Sequence, residues 1–339
     1  MSGRYQRKTA ADGADLVTAD DSVLPAGPRV LVPRGHGVAL APWLRSHREQ
    51  VERDLLAHGV LLFRGFQVSS ADEFGEVAAA TGELIEYHEP ATPRGQYLKN
   101  VYVSSAYPSY YTIPVHGELS YTYVWPRKAL FFCKTPPGSG GQTPVADARE
   151  VLRRIDPKVR DRFIEKQVMY VRNYGDGFVV PWRAVFKTES REEVELYCKA
   201  NAPMTCEWFG ADRLRTSQVR PAVARHPVTS ELVWFNQAHI FHAYSLGSDV
   251  KEGLIEEFGE ENLPVHARYG DGTPIPDAEI QHLLDVYAEC ATAFDWEKGD
   301  VLVADNMLMA HGRNAFEGER EIMVSFVDSH DSRDGGESS

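Results

Sequence analysis

The segment VHGELSY, residues 115–121, places a histidine and a glutamate two positions apart in a stretch that otherwise reads as buried sheet. An extended strand repeats every two residues, so His116 and Glu118 are predicted to point to the same face. If that face is the core, the pair needs a charge partner, a hydrogen-bond network or a metal ion. Alone, the pair is a weak indication of a metal site, because core histidines are usually just hydrogen-bonded.

A second apolar segment supplies a third candidate ligand. The run GDVLVADNMLMAHGRNAF, residues 299–316, reads as a strand that ends at His311. Two imidazoles and one carboxylate on one face of an octahedron are typical of non-haem Fe(II) oxygenases. The set His116, Glu118 and His311 therefore predicts such a metal site, whose open positions suit a bidentate co-substrate and dioxygen.

Two further features suit an anion. Arg320 opens a predicted strand and shares a face with apolar residues, where its planar guanidinium would bind a carboxylate through two hydrogen bonds. The commoner alternative is an arginine at an exposed strand end. The glycine-rich turn PPGSGGQTPVAD, residues 136–147, contains Thr143, whose hydroxyl would assist with the same anion. The turn is not a P-loop, because no GK[ST] follows the glycines.

Strand-like segments occupy the centre and the end of the chain, with helical segments around them. Apolar runs predict strands at 60–66, 128–137, 219–236, 301–310 and 320–327. Apolar spacing and capping residues predict helices at 43–58, 70–81, 190–201 and 276–294 and two short helices within 147–169. This distribution favours a mainly β fold with helical insertions around a double-stranded β-helix (jelly-roll) core over alternating βαβ units.

The chain of 339 residues is long enough for one large β-rich domain or two ordinary ones. No repeat or long linker divides it, so we expect a single domain over 26–327. The polar and glycine-rich segments 1–25 and 328–339 are expected to be flexible ends.

Composition argues against several classes of protein. With 43% hydrophobic and 25% charged residues and no apolar run of membrane-spanning length, the chain is typical of a soluble globular protein without a membrane partner. A net charge of −13 argues against a nucleic-acid partner. The start has no apolar signal-peptide core, so we expect a cytoplasmic location. Four cysteines without CxxC spacing argue against a disulfide framework or a zinc knuckle.

The motifs HGELS, GGQT, WFNQ and HGRNAFEGER, in this order, resemble those of the taurine-dioxygenase-like superfamily of Fe(II)/2-oxoglutarate enzymes. The likeness is strongest to its clavaminate-synthase-like members, which carry an HxE motif, and it runs from about residue 55 to 326. The resemblance implies a jelly-roll dioxygenase in which His116, Glu118 and His311 ligate Fe(II). It also implies 2-oxoglutarate and O2 as co-substrates.

The same resemblance assigns the anion-binding residues. Arg320 would hold the distal carboxylate of 2-oxoglutarate, assisted by the Thr143 hydroxyl. Relatives that halogenate lack the acidic ligand, so the presence of Glu118 argues against halogenation. In the taurine-specific branch a second arginine follows on the same strand, and here Val324 or Ser325 takes that place. A sulfonate substrate is therefore not expected.

The resemblance further implies oxidation of an unactivated C–H bond of an amino-acid-like substrate, free or bound to a carrier protein, in specialised metabolism. Hydroxylation, desaturation, cyclisation and epoxidation all remain open. Tyr107, Tyr121 and Asn236 are candidates to line the substrate pocket. Aromatic residues of a jelly roll lie in the core more often than in a pocket, and Asn236 is equally suited to joining a loop.

Two other hypotheses fit part of the pattern. A redox-neutral zinc hydrolase would use the same three ligands with an open water position, but Arg320 and Thr143 have no evident role in it. A non-catalytic jelly-roll binding protein would keep the histidines as structural residues.

Overall fold

The computed structural model describes residues 16–333 except 21, 23, 25–26, 87–94, 106, 176–179, 202 and 211. Of the expected flexible ends, residues 1–15 and 334–339 lie outside the described residues. The adjoining parts of both ends belong to the sheet. Strand Val17–Ala19 pairs with Arg29–Pro33, and the last strand continues to Asp331.

The described residues form the following strands: β1 Val17–Ala19, β2 Arg29–Pro33, β3 Val60–Phe63, β4 Gln96–Leu98, β5 Val101–Val103, β6 Ile113–His116, β7 Val124–Thr135, β8 Ser139–Gly140, β9 Val145–Asp147, β10 Val168–Tyr174, β11 Thr205–Phe209, β12 Arg213–Arg220, β13 Val223–Arg225, β14 Leu232–Trp234, β15 Val265–Tyr269, β16 Val301–Asp305, β17 Met309–Arg313, β18 Phe316–Glu317 and β19 Glu321–Asp331.

The α-helices are α1 Leu40–Ser46, α2 Arg48–His58, α3 Ala71–Thr81, α4 Ala148–Arg154, α5 Pro157–Lys166, α6 Trp182–Phe186, α7 Arg191–Ala200, α8 Ala238–Phe241, α9 Ser248–Phe258 and α10 Asp277–Cys290. Short 3₁₀ helices follow at Ala243–Leu246 and Glu260–Asn262. None of the helices in this part of the chain has the length and apolar character needed to span a bilayer.

A large sheet and a small sheet form the jelly-roll core that the sequence predicts. The large sheet has the strand order β1-β2-β3-β16-β7-β19-β5-β4, and the small sheet has the order β6-β17-β9. A separate four-stranded sheet has the order β11-β12-β10-β15 and shares no strand with these two sheets. Neighbouring strands are antiparallel except β2 and β3.

The central strands of the large sheet are buried on both faces, which explains their unbroken apolar sequences. In β3, Leu61 and Phe63 pack with the helices α1 to α3, whereas Val60 and Leu62 pack on the opposite side with Phe131. Because successive side chains of a strand point to opposite faces, this one strand contributes to two hydrophobic cores, one on each side of the sheet. The opposite side is the one that carries the site described below.

Several predicted elements are confirmed and three are divided. Helix 70–81 begins after its Ser70 cap, whose hydroxyl accepts from the Glu73 N–H. The predicted helix 43–58 is two helices interrupted at His47, and the predicted strand 219–236 is three separate strands. Strand 301–310 is also broken, because Asp305 Oδ1 accepts from two backbone N–H groups and closes a turn between β16 and β17.

Candidate active site

Strand pairing brings the three predicted ligands together. β6 and β17 lie side by side with His116 directly opposite His311, and their ring centroids are 5.2 Å apart. The Nε2 atom of His311 lies 3.9 Å from Oε2 of Glu118. One donor atom from each of the three side chains lies within 4.8 Å of the others. Residues 195 positions apart in the chain therefore meet because the small sheet pairs its first and last strands.

Glu118 reaches this cluster by a different route from the one predicted. Strand β6 ends at His116, and Glu118 lies in the turn that follows. The next residue, Leu119, has a left-handed φ of 57°, so the chain reverses here. The expectation that the pair shares the face of one extended strand is wrong, because the turn rather than strand periodicity orients the carboxylate.

A buried amide holds this turn. Asn306 Oδ1 accepts from the Glu118 N–H at 2.7 Å, and its Nδ2 donates to the carbonyls of Glu118 and Pro126 at 2.9 and 2.8 Å. Gln237 Nε2 donates to the Gly117 carbonyl at 2.7 Å. The peptide groups on both sides of the candidate ligand are thus fixed by side chains from distant parts of the sequence.

The histidine of β6 is oriented by its own strand. His116 Nδ1 lies 2.8 Å from the Pro114 carbonyl, so it carries the proton and donates. This assigns the tautomer in which Nε2 keeps its lone pair, as a metal-ligating histidine requires. Two imidazoles and a carboxylate form the donor set that Fe(II) takes in a facial arrangement, so the residues present fit that metal.

Thr143 and Arg320 line the same cavity as the three ligands, and the cavity volume is about 540 Å³. The buried Thr143 Oγ1 accepts a hydrogen bond from Trp296 Nε1 at 3.1 Å. The hydrogen of the Thr143 hydroxyl therefore points to a different acceptor. Arg320 Nε donates to the Gly141 carbonyl at 3.1 Å, in the glycine-rich turn. Burial, together with the nearby charge of Arg313, lowers the pKa of Arg320 to about 10.

Arg320 immediately precedes β19 rather than opening it. Among the described residues, no carboxylate pairs with its guanidinium. Its donors line the same cavity as the buried Thr143 hydroxyl and fit an anion such as the distal carboxylate of 2-oxoglutarate.

The predicted substrate residues separate into two groups. Tyr107 and Tyr121 line the cavity, with Tyr107 52% exposed and Tyr121 5% exposed. Asn236 is not among the residues that line it. Its Nδ2 donates to the Ala222 carbonyl at 2.8 Å and its Oδ1 accepts from the Ala238 N–H at 3.0 Å. These bonds favour the alternative, in which Asn236 joins a loop.

Two arginines that line the cavity have no counterpart in the sequence analysis. Arg313 follows His311 by two positions on β17, and residues two apart on a strand point to the same face. Strand alternation could therefore have predicted that Arg313 lies on the cavity side with His311. Its guanidinium donates to three carbonyls, those of Tyr107, Pro108 and Tyr111. Arg172 lies on β10 in the segment MYVRNY, and nothing local to that segment marks it as a cavity residue.

Comparison with known proteins identifies the family. Residues 23–326 match the model of the family described as taurine catabolism dioxygenase TauD, TfdA family. The chain is 40% identical over 279 residues to the dapdiamide synthesis protein DdaC of Enterobacter agglomerans, covering 82% of this chain and 84% of that protein. It is 29% identical over 294 residues to a clavaminate synthase-like protein of Arabidopsis thaliana, covering 83% and 85%.

A solved structure shares the fold. PvcB, described as an Fe, alpha-ketoglutarate dependent oxygenase from an isonitrile synthetic pathway, superposes with a TM-score of 0.55 at 15% identity, over 97% of this chain and 98% of that one. With the family match, the cavity and its three metal-type donors, the resemblance predicted from the motifs is confirmed. The chain belongs to the TauD/TfdA family and is an Fe(II)/2-oxoglutarate-dependent dioxygenase that uses O2.

Proposed function

We propose that His116, Glu118 and His311 hold the Fe(II) ion, and that Arg320 and Thr143 bind the distal carboxylate of 2-oxoglutarate. The observation that carries this assignment is the meeting of three metal-type donors with a buried arginine and hydroxyl in one cavity. Bound iron, 2-oxoglutarate and O2 together supply an oxidant strong enough to attack an unactivated C–H bond.

The protein's own residues orient the groups that would hold the reactants. The Pro114 carbonyl keeps the His116 tautomer with Nε2 available. Trp296 orients the Thr143 hydroxyl, and the Gly141 carbonyl orients the Arg320 guanidinium. Holding groups in place before reaction is how such a site lowers the barrier.

We further propose an amino-acid-like small-molecule substrate in specialised metabolism, hydroxylated, desaturated or cyclised at a carbon near the iron. The name of the 40% identical relative, a dapdiamide synthesis protein, supports a role in the synthesis of a specialised compound. A taurine-like sulfonate is not favoured, because Val324 and Ser325 are both 0% exposed within β19 and neither is cationic.

An anaerobic titration tests the metal and co-substrate assignment. Metal-free protein receives Fe(II) and then 2-oxoglutarate under argon, while the visible spectrum is recorded. We expect the weak charge-transfer absorption of a 2-oxo acid chelated to ferrous iron, and we expect His116→Ala to lose both the absorption and the iron.

Two outcomes would redirect the assignment. Iron binding without the absorption would remove 2-oxoglutarate from the site and favour the zinc-hydrolase hypothesis. Unchanged metal content in His116→Ala, with the fold intact, would contradict the ligand set and favour a binding protein.

A further inference from the structure

We propose that His226 and Asp305 are positioning residues for the metal site and act on it through the turn that contains Asn306. This inference rests on the proposed function, because it concerns the ligands that would hold the iron. It starts from a buried pair that does not line the cavity. His226 Nε2 lies 3.1 Å from Asp305 Oδ2, and the two residues, 79 positions apart in the chain, are 1% and 2% exposed.

Hydrogen bonds fix the tautomer of His226. Its Nδ1 accepts from the N–H groups of Val228 and Thr229 at 3.3 and 3.0 Å, so the ring proton is on Nε2, which donates to Asp305. A buried carboxylate needs such a donor, since burial of an unpaired charge is costly. The loop that joins β13 to β14 therefore holds one oxygen of Asp305 in place.

The other oxygen of Asp305 closes the turn that holds Glu118. Asp305 Oδ1 accepts from the Met307 and Leu308 N–H groups, each at 3.0 Å. Asn306 lies inside this turn, and its side chain bonds both the N–H and the carbonyl of Glu118. A shift of the Asp305 carboxylate would therefore move the amide that fixes the backbone of a proposed ligand.

The same turn sets the start of the strand that carries His311. β17 begins at Met309, directly after the residues whose N–H groups Asp305 binds. Two of the three proposed ligands thus depend on one turn, Glu118 through Asn306 and His311 through β17. The third, His116, pairs with His311 across the small sheet.

The chain that leaves β14 joins the same hairpin to the Glu118 turn at a second point. Gln237 Nε2 donates to the Gly117 carbonyl at 2.7 Å. Phe235 packs against Gly117 so closely that a Cβ there would lie 2.7 Å from its ring. The segment from His226 to Gln237 therefore contacts both turns and links them into one frame.

Two substitutions of His226 separate its two sets of hydrogen bonds. The shorter His226→Asn places an amide oxygen near the position of Nδ1, so it can accept from the loop but cannot reach Asp305. The longer His226→Gln places an amide nitrogen near the position of Nε2, so it can donate to Asp305 but loses the loop bonds. Each variant loses buried hydrogen bonds, and we expect both to have lower denaturation midpoints in urea.

Hydrogen exchange and metal affinity measure the effect on the site. In metal-free protein, mass spectrometry of the peptide 115–121 reports the exchange of the Glu118 amide. We expect faster exchange in His226→Asn than in the wild type and the wild-type rate in His226→Gln. In a titration under argon, His226→Asn should raise the dissociation constant for Fe(II) about 10-fold, as for other groups that orient a metal ligand. His226→Gln should keep the wild-type value.

A merely structural role would follow stability alone. Equal exchange and equal iron affinity in the two variants, whether unchanged or weakened in step with the urea midpoint, would overturn the inference. Asp305→Asn decides if His226→Asn does not fold. Its oxygen can still accept from the turn, but its amide nitrogen cannot accept from His226, so it should weaken iron binding as His226→Asn would. Wild-type iron affinity in Asp305→Asn would equally overturn the inference.

The charge-transfer absorption separates this inference from the function on which it rests. If the wild type gives the absorption with Fe(II) and 2-oxoglutarate and the two His226 variants bind iron equally, the positioning role alone fails. If the wild type lacks the absorption, the proposed function fails first. The exchange measurement needs no metal, so equal exchange in the two variants would still overturn the role of the pair in holding the turn.

Discussion

The two ends of the cavity are built differently. At the inner end, Glu118 and His311 are each 5% exposed and are positioned by paired strands and a hydrogen-bonded turn. At the outer end, Tyr107 is 52% exposed in the segment before β6. The candidate metal donors are thus held by buried sheet and its adjoining turn, and the entrance is formed by a segment between strands, as in many enzymes.

Hydrogen bonds to backbone carbonyls connect the two ends of the cavity. Arg313, on the strand that carries His311, donates to the carbonyls of Tyr107, Pro108 and Tyr111. Because these bonds involve carbonyl oxygens, the entrance side chains can change without loss of the anchor. We infer that substitutions at the inner end affect metal and 2-oxoglutarate binding, and those at the outer end affect substrate alone.

The largest effect is expected for His311→Ala. Removal of one of three metal donors should abolish iron binding, and iron-dependent succinate formation should fall about 100-fold or more, since the metal supplies several kcal/mol of stabilisation. Metal content by elemental analysis and succinate by chromatography measure both effects.

His239→Gln is the control for loss of a buried imidazole. His239 Nε2 donates to the Val115 carbonyl at 2.9 Å, and burial lowers its pKa to about 4, so it is neutral at pH 7. The glutamine amide can keep that bond, so the variant should retain its iron. Loss of iron in His239→Gln but not in His311→Ala would reverse the ligand assignment.

The next largest effect is expected for Arg320→Ala on 2-oxoglutarate. Truncating one partner of a buried charged pair costs about 2–5 kcal/mol, so the dissociation constant for 2-oxoglutarate should rise about 30-fold or more while iron binding is preserved. Unchanged 2-oxoglutarate affinity in calorimetry under argon would disprove the assignment of Arg320.

The pH dependence of Arg320→Lys sharpens that test. With a pKa of about 10, Arg320 keeps its charge at neutral pH, so wild-type affinity for 2-oxoglutarate should be flat from about pH 7 to 9. A lysine has a lower ordinary pKa, and the same burial would lower it further. Its ammonium should therefore lose its proton, and the variant its affinity, as the pH rises through this window. If the 2-oxoglutarate affinity of Arg320→Lys followed the same pH profile as that of the wild type, the burial of this charge would be contradicted.

The sequence predicted the inner end better than the outer end. The candidate ligands His116, Glu118 and His311 were singled out because their spacing is chemically distinctive, and they meet in the structure, although strand periodicity was the wrong reason for the position of Glu118. Asn236 was misleading, because a polar residue after apolar ones indicates that a partner exists but does not say which. Arg172 was missed because its position beside the cavity depends on how a separate sheet packs over the core.

Asn306→Ala tests whether the turn is a positioning device for the inner end. It would leave the buried N–H and C=O of Glu118 without their partner, at a cost of about 1–3 kcal/mol per group in the free energy of unfolding. Metal affinity should fall about 10- to 100-fold, as for other groups that orient a ligand. Asn306→Asp keeps the acceptor and should restore part of that affinity. Full metal affinity despite lower stability in urea would show a purely structural role.

Gly117→Ala should have a smaller effect on the same turn. A Cβ there would lie 2.7 Å from Cε2 of Phe235, so the ring must shift, at about 1–3 kcal/mol of unfolding free energy. Gly253→Ala, in α9, meets nothing within 4 Å and should instead stabilise by about 0.5–1 kcal/mol. Similar changes in both denaturation curves would show that the turn tolerates a side chain.

The smallest effect is expected for Tyr107→Ala at the outer end. The ring is half exposed and contacts Tyr111, with centroids 6.3 Å apart, whereas the Tyr107 carbonyl that Arg313 holds is unchanged by the substitution. The unfolding free energy should therefore stay within about 0.5 kcal/mol of wild type, with metal and 2-oxoglutarate affinities preserved. Once a substrate is identified, its KM is the quantity that should move. A loss of iron or 2-oxoglutarate affinity in Tyr107→Ala would show that the entrance side chains help to hold the inner end, and the distinction between the two ends would fail.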